Sequence, residues 1–196
     1  MATITDNTYG ALDKVFRVNC QAVRLLLLTD GYPPDPHQHF VFSDVETLAW
    51  QNTKGILSSL GVEANSFQEV LDHGVLITPS LDIVVPPKVT AVETACAAER
   101  LEALLRLLPN LAAIGLMGDV AIATFNQMHR QAAGRRLIPP GSTYKLRRQD
   151  FFWGKVQIFP SYLHTGKSYL IERSKRQMVA DDMKRMAPYL QAIGNG

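Results

Sequence analysis

The sequence predicts an α/β protein, a three-layer α/β/α sandwich built around a mostly parallel, four-stranded central sheet. Two observations predict it: short apolar runs that end in loop-forming residues, and longer helical patterns that lie between those runs. The apolar runs lack a clean alternation of polar and apolar residues, which is typical of strands covered on both faces. Parallel strands follow because a helix between two strands returns the chain to the same edge of the sheet.

The four predicted strands are "AVRLLLLTD" (22–30), "GVLITPS" (74–80), "LAAIGLMG" (111–118) and "KVQIFPSY" (155–162). Ligands of parallel sheets bind beyond the carboxyl ends of the strands. We therefore expect Asp30, Ser80, Gly118 and the segment around His164 to lie along one rim. No repeat, low-complexity tract or linker interrupts the chain, so a single domain is predicted across residues 1–196.

Four segments between and after these runs are predicted helices. The first, "SDVETLAWQNTKGILSSLG", begins with Ser43 and Glu46 at capping-box spacing and ends at Gly61. The second, "TAVETACAAERLEALLRLLPN", repeats the spacing with Thr90 and Glu93. The other two are "GDVAIATFNQMHRQAAG" and "SYLIERSKRQMVADDMKRMAPYLQAIG". The alternation of strands and helices completes the fold prediction.

Composition narrows the class of protein. A chain of 196 residues with 46% hydrophobic content can bury its own core. Its longest strongly apolar run, "AVRLLLL", is too short to span a bilayer, and "MATITDNTYG" has no signal-peptide pattern. We expect a soluble cytoplasmic protein without a membrane partner. Cys20 and Cys96 lie far apart without a C-x-x-C spacing, so they are predicted to be buried free thiols.

Charge is distributed unevenly along the chain. The net charge is +2, but ten Lys/Arg and four Asp/Glu residues follow Gly141. The excess of positive charge predicts a polyanionic partner near the C-terminal third. A solvated helix face with i,i+4 ion pairs explains the part from Glu172 onward equally well.

The stretch "LLLLTDGYPPDP" places a carboxylate at the end of the first strand. Gly31 permits an unusual backbone angle there, and three prolines stiffen the following loop. Such a loop can hold the carboxylate of Asp30 in a cleft. The alternative is that Asp30 begins an Asx-turn that ends the strand.

The stretch "FPSYLHTGKSYLIERSKR" places His164 between the fourth strand and the last helix. The residues after it, Thr165, Gly166, Lys167 and Ser168, are suited to binding an anion at a helix start. The "GKS" triplet is not a P-loop, because Ser161 stands where that motif needs Gly. For His164 itself, a catalytic role and a structural hydrogen bond both remain open.

This order of motifs resembles the uracil-DNA glycosylase superfamily over roughly residues 22–190. The firmest similarity lies in "PPKVTAVETACAAERLEALLRLLPNLAAIGLMGDVAIATF". There the family has a double proline, a long helix carrying a Cys, Leu-x-Pro, an apolar strand and Gly-x-x-Ala. "TDGYPP" corresponds to the first family motif, which positions water, and "HTGKS" corresponds to the His loop, which stabilises the departing base.

The resemblance implies roles for particular residues. Asp30 and His164 would be catalytic, and Phe40 in "HQHFVF" would stack on the flipped base. The other residues that would contact the substrate are Gly31, Tyr32, Ser80, Thr165, Gly166, Lys167 and Ser168.

The chain departs from the family pattern at the positions of base recognition and cluster binding. Members that bind uracil commonly have an Asn after the second strand, where this chain has Pro79 and Ser80. Four-cysteine members bind an iron-sulfur cluster, but here only Cys96 matches, so no cofactor is expected. The two histidines of "HQH" do not have the fixed spacing of a metal site, so no metal is predicted.

The resemblance implies a DNA base-excision N-glycosylase that hydrolyses the bond to uracil or another damaged base. One alternative is a catalytically inactive nucleic-acid- or nucleotide-binding module on the same fold. Another is a small-molecule hydrolase that acts on a nucleoside-like substrate. The segment "YKLRRQDFFWG" mixes basic and aromatic residues, as surfaces that bind single-stranded nucleic acid do. We interpret at least two of Phe151, Phe152 and Trp153 as core residues.

Overall fold

A computed structural model describes residues 2–5, 15–35, 38–39, 41, 46–165, 169 and 172–191. Within these ranges, no helix combines the length and the apolar character that crossing a bilayer requires.

The described residues form a five-stranded central sheet and a separate antiparallel pair. The strands are β1 Ala2–Thr5, β2 Val15–Val18, β3 Leu25–Thr29, β4 Val75–Pro79, β5 Ala113–Met117, β6 Phe151–Trp153 and β7 Val156–Ser161. The sheet order is β4-β3-β5-β7-β6, and β1 pairs with β2 outside this sheet. All four predicted strands are confirmed and pair in parallel. The predicted strand number of four is corrected to five, because β6 adds an antiparallel edge.

Helices cover both faces of the sheet. They are α1 Leu48–Ser59, α2 Phe67–Asp72, α3 Ala91–Arg106, α4 Asp119–Ala133, α5 Thr143–Leu146 and α6 Arg173–Gln191. The predicted capping box of Thr90 and Glu93 is confirmed at the start of α3. The predicted start of α1 is wrong: Thr47 caps that helix, Glu46 precedes it, and Ser43 lies outside the described residues.

The leucine run of β3 explains how the two cores form. Leu26 and Leu28 lie in the core shared with α3 and α4, whereas Leu25 and Leu27 lie in the core shared with α1 and α6. Successive strand residues point to opposite faces, so a strand between two helical layers needs apolar residues at every position. The run without alternation is therefore the expected pattern for a central strand.

The antiparallel edge strand covers only part of its neighbour. β6 pairs with residues 156–158 of β7, and Pro160 lies beyond the pairing. The N–H of Gln157 donates to Ala112 on the β5 side. Because successive backbone groups alternate in direction, the nitrogen of Pro160 faces the opposite, uncovered side. Its missing N–H therefore costs the sheet no hydrogen bond.

The two cysteines are free, as predicted, but they are not buried. Cys20 is partly exposed and Cys96 lies on the exposed face of α3. The prediction of burial assumed that a small apolar side chain joins the core, whereas α3 turns this position to solvent.

Candidate active site

The strand order places a crevice at one point of the rim. β3 is first of the parallel strands in the chain, and the next two strands pair on either side of it. The connections leaving the neighbouring strands β3 and β5 therefore run to opposite sides, and ligands of open α/β sheets bind at such switch points. Asp30 directly follows β3, and Gly118 directly follows β5. Both residues therefore lie along the predicted rim, at the carboxyl ends of neighbouring parallel strands.

One oxygen of the Asp30 carboxylate is fixed by the start of α4. Asp30 Oδ1 accepts hydrogen bonds from the backbone N–H groups of Val120 at 3.0 Å and Ala121 at 3.1 Å. The residue at the N-cap position of α4, Gly118, provides no side-chain cap, so a carboxylate from a neighbouring strand satisfies two free amides of the helix. Asp30 Oδ2 has no hydrogen-bond partner in the described chain and is not sealed from solvent.

Gly118 is required by the position of this carboxylate. Its φ is +122°, a backbone conformation that L side chains rarely adopt. A Cβ atom at this position would lie 2.3 Å from Asp30 Oδ1 and 2.6 Å from Asp30 Oδ2. The Gly after β5 therefore makes the space that the carboxylate after β3 occupies.

The environment of Asp30 brings its titration close to neutral pH. Burial raises the pKa of the Asp30 carboxyl to about 6, and the nearby Asp119 carboxylate adds to the rise. The hydrogen bonds from Ala121 and Val120 oppose it but do not cancel it. A carboxyl group with a pKa raised in a cleft is typical of a functional site and is suited to accepting a proton near pH 7.

Asp30 lies in an open cleft of about 510 Å³. The other residues of its lining come from the ends of β5 and β7 and from the starts of α4, α5 and α6: Gly118, Asp119, Gly141, Ser142, Thr143, Ser161, Tyr162, Leu163 and Lys175. Hydroxyl groups, one ammonium group and two carboxylates therefore surround a space large enough for a small ligand or one unit of a polymer.

A buried ion pair supports one wall of the cleft. Arg147, which follows α5, donates from Nε to Asp182 Oδ2 at 3.0 Å, and both side chains are buried. Ser161 Oγ, at the end of β7, donates to the same Asp182 oxygen at 2.6 Å. These bonds connect α5, α6 and β7, so the wall is held by groups that are costly to separate.

Lys175 supplies the positive charge of the cleft. Its Nζ lies 2.9 Å from Glu172 Oε1 and 5.6 Å from the ring centroid of Tyr162. Tyr162 follows β7 directly and also lines the cleft. The Tyr162 ring and the Lys175 ammonium therefore form one mixed aromatic and basic surface in the cleft.

His164 lies past the end of β7, as expected for the rim, but the structure does not place it in the Asp30 cleft, where the catalytic role implied by the resemblance would need it. It follows β7 by three residues, but its side chain has no exposed surface and does not line the Asp30 cleft. Its Nε2 lies 3.2 Å from Thr53 Oγ1 of α1. Burial and the neighbouring His39 lower the pKa of His164 to about 3, so the imidazole is neutral at pH 7.

The hydrogen bonds of Thr53 fix the tautomer of His164. The hydroxyl proton of Thr53 goes to the carbonyl of Ala49 at 2.8 Å, so Thr53 can only accept from His164. His164 Nε2 therefore carries the ring proton, and Nδ1 holds a lone pair that has no partner among the described residues. In this arrangement His164 offers no N–H to a departing base.

Three other predicted contact residues serve as links between the ends of β3 and β4. Gly31 has no unusual backbone angle; instead its Cα approaches the 81–85 segment, where an added Cβ would lie 2.7 Å from Val85. Tyr32 is buried and forms a parallel bridge with Val84. Ser80 is buried and donates its hydroxyl to the carbonyl of Thr29 at 2.7 Å.

The remaining predicted contacts of the His loop are only partly described. Thr165 is partly exposed and lies outside the Asp30 cleft. Phe40, Gly166, Lys167 and Ser168 lie outside the described residues.

The aromatic segment before β7 behaves as interpreted. Phe151 and Trp153 pack against the core, and the Trp153 ring meets Phe125 edge-on at 6.4 Å between centroids. Phe152 is 54% exposed. Two of the three aromatics are therefore core residues, and one faces solvent at the sheet edge.

Comparisons with known proteins do not assign the chain to a family. No protein-family model matches it, and no curated protein matches it with significant sequence similarity. Within the described part of the chain, no group of three or more His, Cys, Asp or Glu side chains is placed to hold a metal ion.

Sequence reasoning missed most of the residues that surround Asp30 in the cleft. Asp119 was detectable, since "GD" follows an apolar strand at the rim. Ser142 and Thr143 follow a double proline and a Gly, which signal only a turn. Lys175 lies in the first turn of α6, and nothing in its local sequence indicates which direction that turn faces.

Proposed function

We propose that this protein is a DNA base-excision N-glycosylase-like hydrolase in which Asp30 orients the attacking water. The observation that carries the proposal is the asymmetric carboxylate: Oδ1 is fixed by two helix amides, and Oδ2 is available in a switch-point cleft. With a pKa of about 6, most Asp30 carboxyls are ionised at pH 7. The negative charge also suits the cationic sugar that forms as the base departs.

The second role, stabilising the anionic base, belongs in this proposal to donors that line the cleft. The His164 proton is engaged by Thr53, so the imidazole is not a donor to the base in this proposal. Lys175, Ser142 and Tyr162 line the cleft and carry the ammonium and hydroxyl donors that this role requires. A preorganised donor of this kind typically contributes about 100- to 1000-fold in rate.

The test is base release from oligonucleotides that carry uracil, hypoxanthine or 8-oxoguanine, in single and double strands, followed by alkaline cleavage of abasic sites. Asp30→Asn retains an oxygen for the two amides of α4, so we expect it to fold normally. It loses the charge and the basic oxygen, and base release should fall by about 100-fold or more. Asp35→Asn removes an exposed carboxylate from the same loop and is the matched control.

The capping role of Asp30 favours a second candidate, a nucleic-acid- or nucleotide-binding module without catalysis. Two amide hydrogen bonds are a sufficient structural reason for a carboxylate at this position. In that case no oligonucleotide loses its base. Asp30→Asn then leaves oligonucleotide affinity unchanged or slightly higher, because a negative charge near phosphates has been removed.

A further inference from the structure

A second groove opens next to the Asp30 cleft. It has a volume of about 300 Å³ and shares Asp119, Gly141 and Thr143 with that cleft. Along α4 it extends from Asp119 to Arg130, which is roughly 16 Å at about 1.5 Å per helical residue. Its opposite wall is the loop that leads from Arg136 to Thr143. The two spaces therefore form one path that leads to the carboxylate.

Two arginines without an ion-pair partner among the described residues border the groove, whose other charged lining residue is Asp119. Residues 130–149 contain six Lys/Arg residues and no Asp or Glu. Arg130 and Arg136 line the groove, are exposed, and have no ion pair within the described residues.

Basic residues of the C-terminal third are engaged differently. Arg147 is paired with Asp182, Lys175 with Glu172, and Arg185 with Asp150. These three ion pairs use acids that are already counted against the charge excess, whereas the arginines of the groove have no carboxylate partner among the described residues and remain available to an anion.

The backbone that carries Arg136 is fixed to α4. Asn126 donates to the carbonyl of Ile138 at 3.0 Å and accepts from its N–H at 2.9 Å, and both groups are buried. His129 Nδ1 lies 2.7 Å from the carbonyl of Arg135. A loop held in this way presents its side chains without a large ordering cost on binding.

An exposed aromatic residue stands beside the junction of the two spaces. Tyr144 follows Thr143 directly and is 50% exposed, and the Arg148 guanidinium lies 5.2 Å from its ring centroid. Aromatic rings next to cations bind bases of single-stranded nucleic acid by stacking, while the cations contact phosphates. This observation points to a nucleic acid and not to an isolated phosphate.

We propose that the groove along α4 binds the phosphodiester backbone of a single-stranded nucleic acid on its way to the Asp30 cleft, with Arg130 and Arg136 contacting phosphates. A groove of roughly 16 Å is long enough for both arginines to contact phosphates of one strand. Asp119 lies at the junction, where Thr143 Oγ1 donates to it at 3.4 Å, and keeps phosphates away from the carboxylates. The proposal deepens the proposed function, but the binding does not require base release.

The test uses fluorescence anisotropy with a labelled 12-nucleotide oligothymidylate over a range of salt concentrations. We expect Arg130→Ala/Arg136→Ala to weaken binding at least about 10-fold at low salt. The slope of log affinity against log salt should fall by about 1.4, from about 0.7 per phosphate contact of a single strand. Arg130→Lys/Arg136→Lys keeps both charges and should retain most of the affinity.

The matched control is Arg17→Ala/Arg106→Ala, which removes the same charge from exposed positions outside the groove. Equal weakening by both double variants would overturn the proposal, because only net charge would then matter. Wild-type protein that binds thymidine triphosphate as tightly as the 12-mer, or that binds phosphatidylglycerol vesicles but no oligonucleotide, would overturn it as well. Groove-dependent binding without any base release would reject the proposed function and keep this inference. Base release that does not change when the two arginines are replaced would support the proposed function and reject this inference.

Discussion

Asp30 and His164 occupy corresponding positions just past the ends of two parallel strands, yet the fold treats them in opposite ways. Asp30 keeps one carboxylate oxygen in an open cleft, whereas His164 is buried against α1. Both environments favour the uncharged form: burial raises the pKa of Asp30 to about 6 and lowers that of His164 to about 3. Burial alone therefore does not separate a group that can contact a ligand from a structural one. The two residues differ in whether a polar atom of the side chain is accessible to solvent.

The difference has a geometric cause in the distance of each residue from its strand. Asp30 is the first residue after β3, so the direction of the strand and the adjacent Gly118 determine where its side chain goes. His164 is three residues past β7, where the period of the strand no longer fixes a direction. The Asp30 side chain is therefore held rigidly with one oxygen accessible in the cleft, whereas the His164 side chain is held rigidly and has no exposed surface.

The largest expected effect tests the rigid contact at the Asp30 end. Gly118→Ala adds a Cβ where the Asp30 carboxylate lies and strains a backbone with φ of +122°. We expect a loss of about 4 kcal/mol or more in the free energy of unfolding, measured with denaturant. Gly55→Ala is the control: this residue is exposed within α1 with no atom near the added Cβ, so the variant should gain about 1 kcal/mol. Equal free energies of unfolding for the two variants would contradict the close contact between Gly118 and the Asp30 carboxylate.

The next effect is a pair of opposite pH dependences. The folded pKa of Asp30, about 6, lies above its ordinary value of 3.8. The stability that its proton contributes is therefore full below pH 3.8 and is lost as pH rises through 6. The folded pKa of His164, about 3, lies below 6.5, so its contribution is full above pH 6.5 and is lost as pH falls toward 3.

The measurement is the free energy of unfolding from pH 4 to pH 8 for the wild type, Asp30→Asn and His164→Gln. Relative to the wild type, Asp30→Asn should gain about 2 kcal/mol between pH 4 and pH 8, at about 1.4 kcal/mol per pKa unit, because the unfolded carboxyl is already partly ionised at pH 4. His164→Gln should gain about 3 kcal/mol relative to the wild type between pH 7 and pH 4. NMR titration of both groups checks the result without a substitution at His164. If the stability of both variants relative to the wild type changed in the same direction with pH, the two residues would not have opposite pH dependences.

A smaller effect sharpens the description of the closed end. Thr53→Val removes the hydroxyl that accepts the His164 ring proton and leaves a buried N–H unpaired, at a cost of about 1–3 kcal/mol. Thr53→Ser keeps the hydroxyl and should keep the Nε2–H tautomer, which ¹⁵N chemical shifts of the ring report directly. A wild-type imidazole protonated at Nδ1 would contradict the assignment.

Patterns that extend over several residues were predictable from the sequence. The four parallel strands follow from uninterrupted apolar runs, and the start of α3 follows from the spacing of Thr90 and Glu93. The meeting of Asp30 with Gly118 follows from their positions at the ends of strands that lie side by side.

Features that depend on tertiary contacts were not predictable. β6 has only three residues, too few for a periodic signal, and it exists because it pairs with β7. Ser80 follows its strand as Asp30 does, but its hydroxyl turns inward to a carbonyl of the neighbouring strand. The start of α1 at Leu48 shows that a second cap, Thr47, can replace one suggested by spacing alone.

The prolines at the two margins of the sheet bear on how the protein behaves at high concentration. β4 and β6 are the outer strands, and the last residues of β7 lie uncovered beside β6. A strand from another molecule would need a backbone donor at each of these places, but Pro160 and Pro79 have none. Pairing with another chain therefore lacks a backbone donor at Pro79 and at Pro160, a device that natural β-proteins use against edge-to-edge association. The same sheet therefore leaves a cleft open at its rim and places a residue without a backbone donor on each of its two sides.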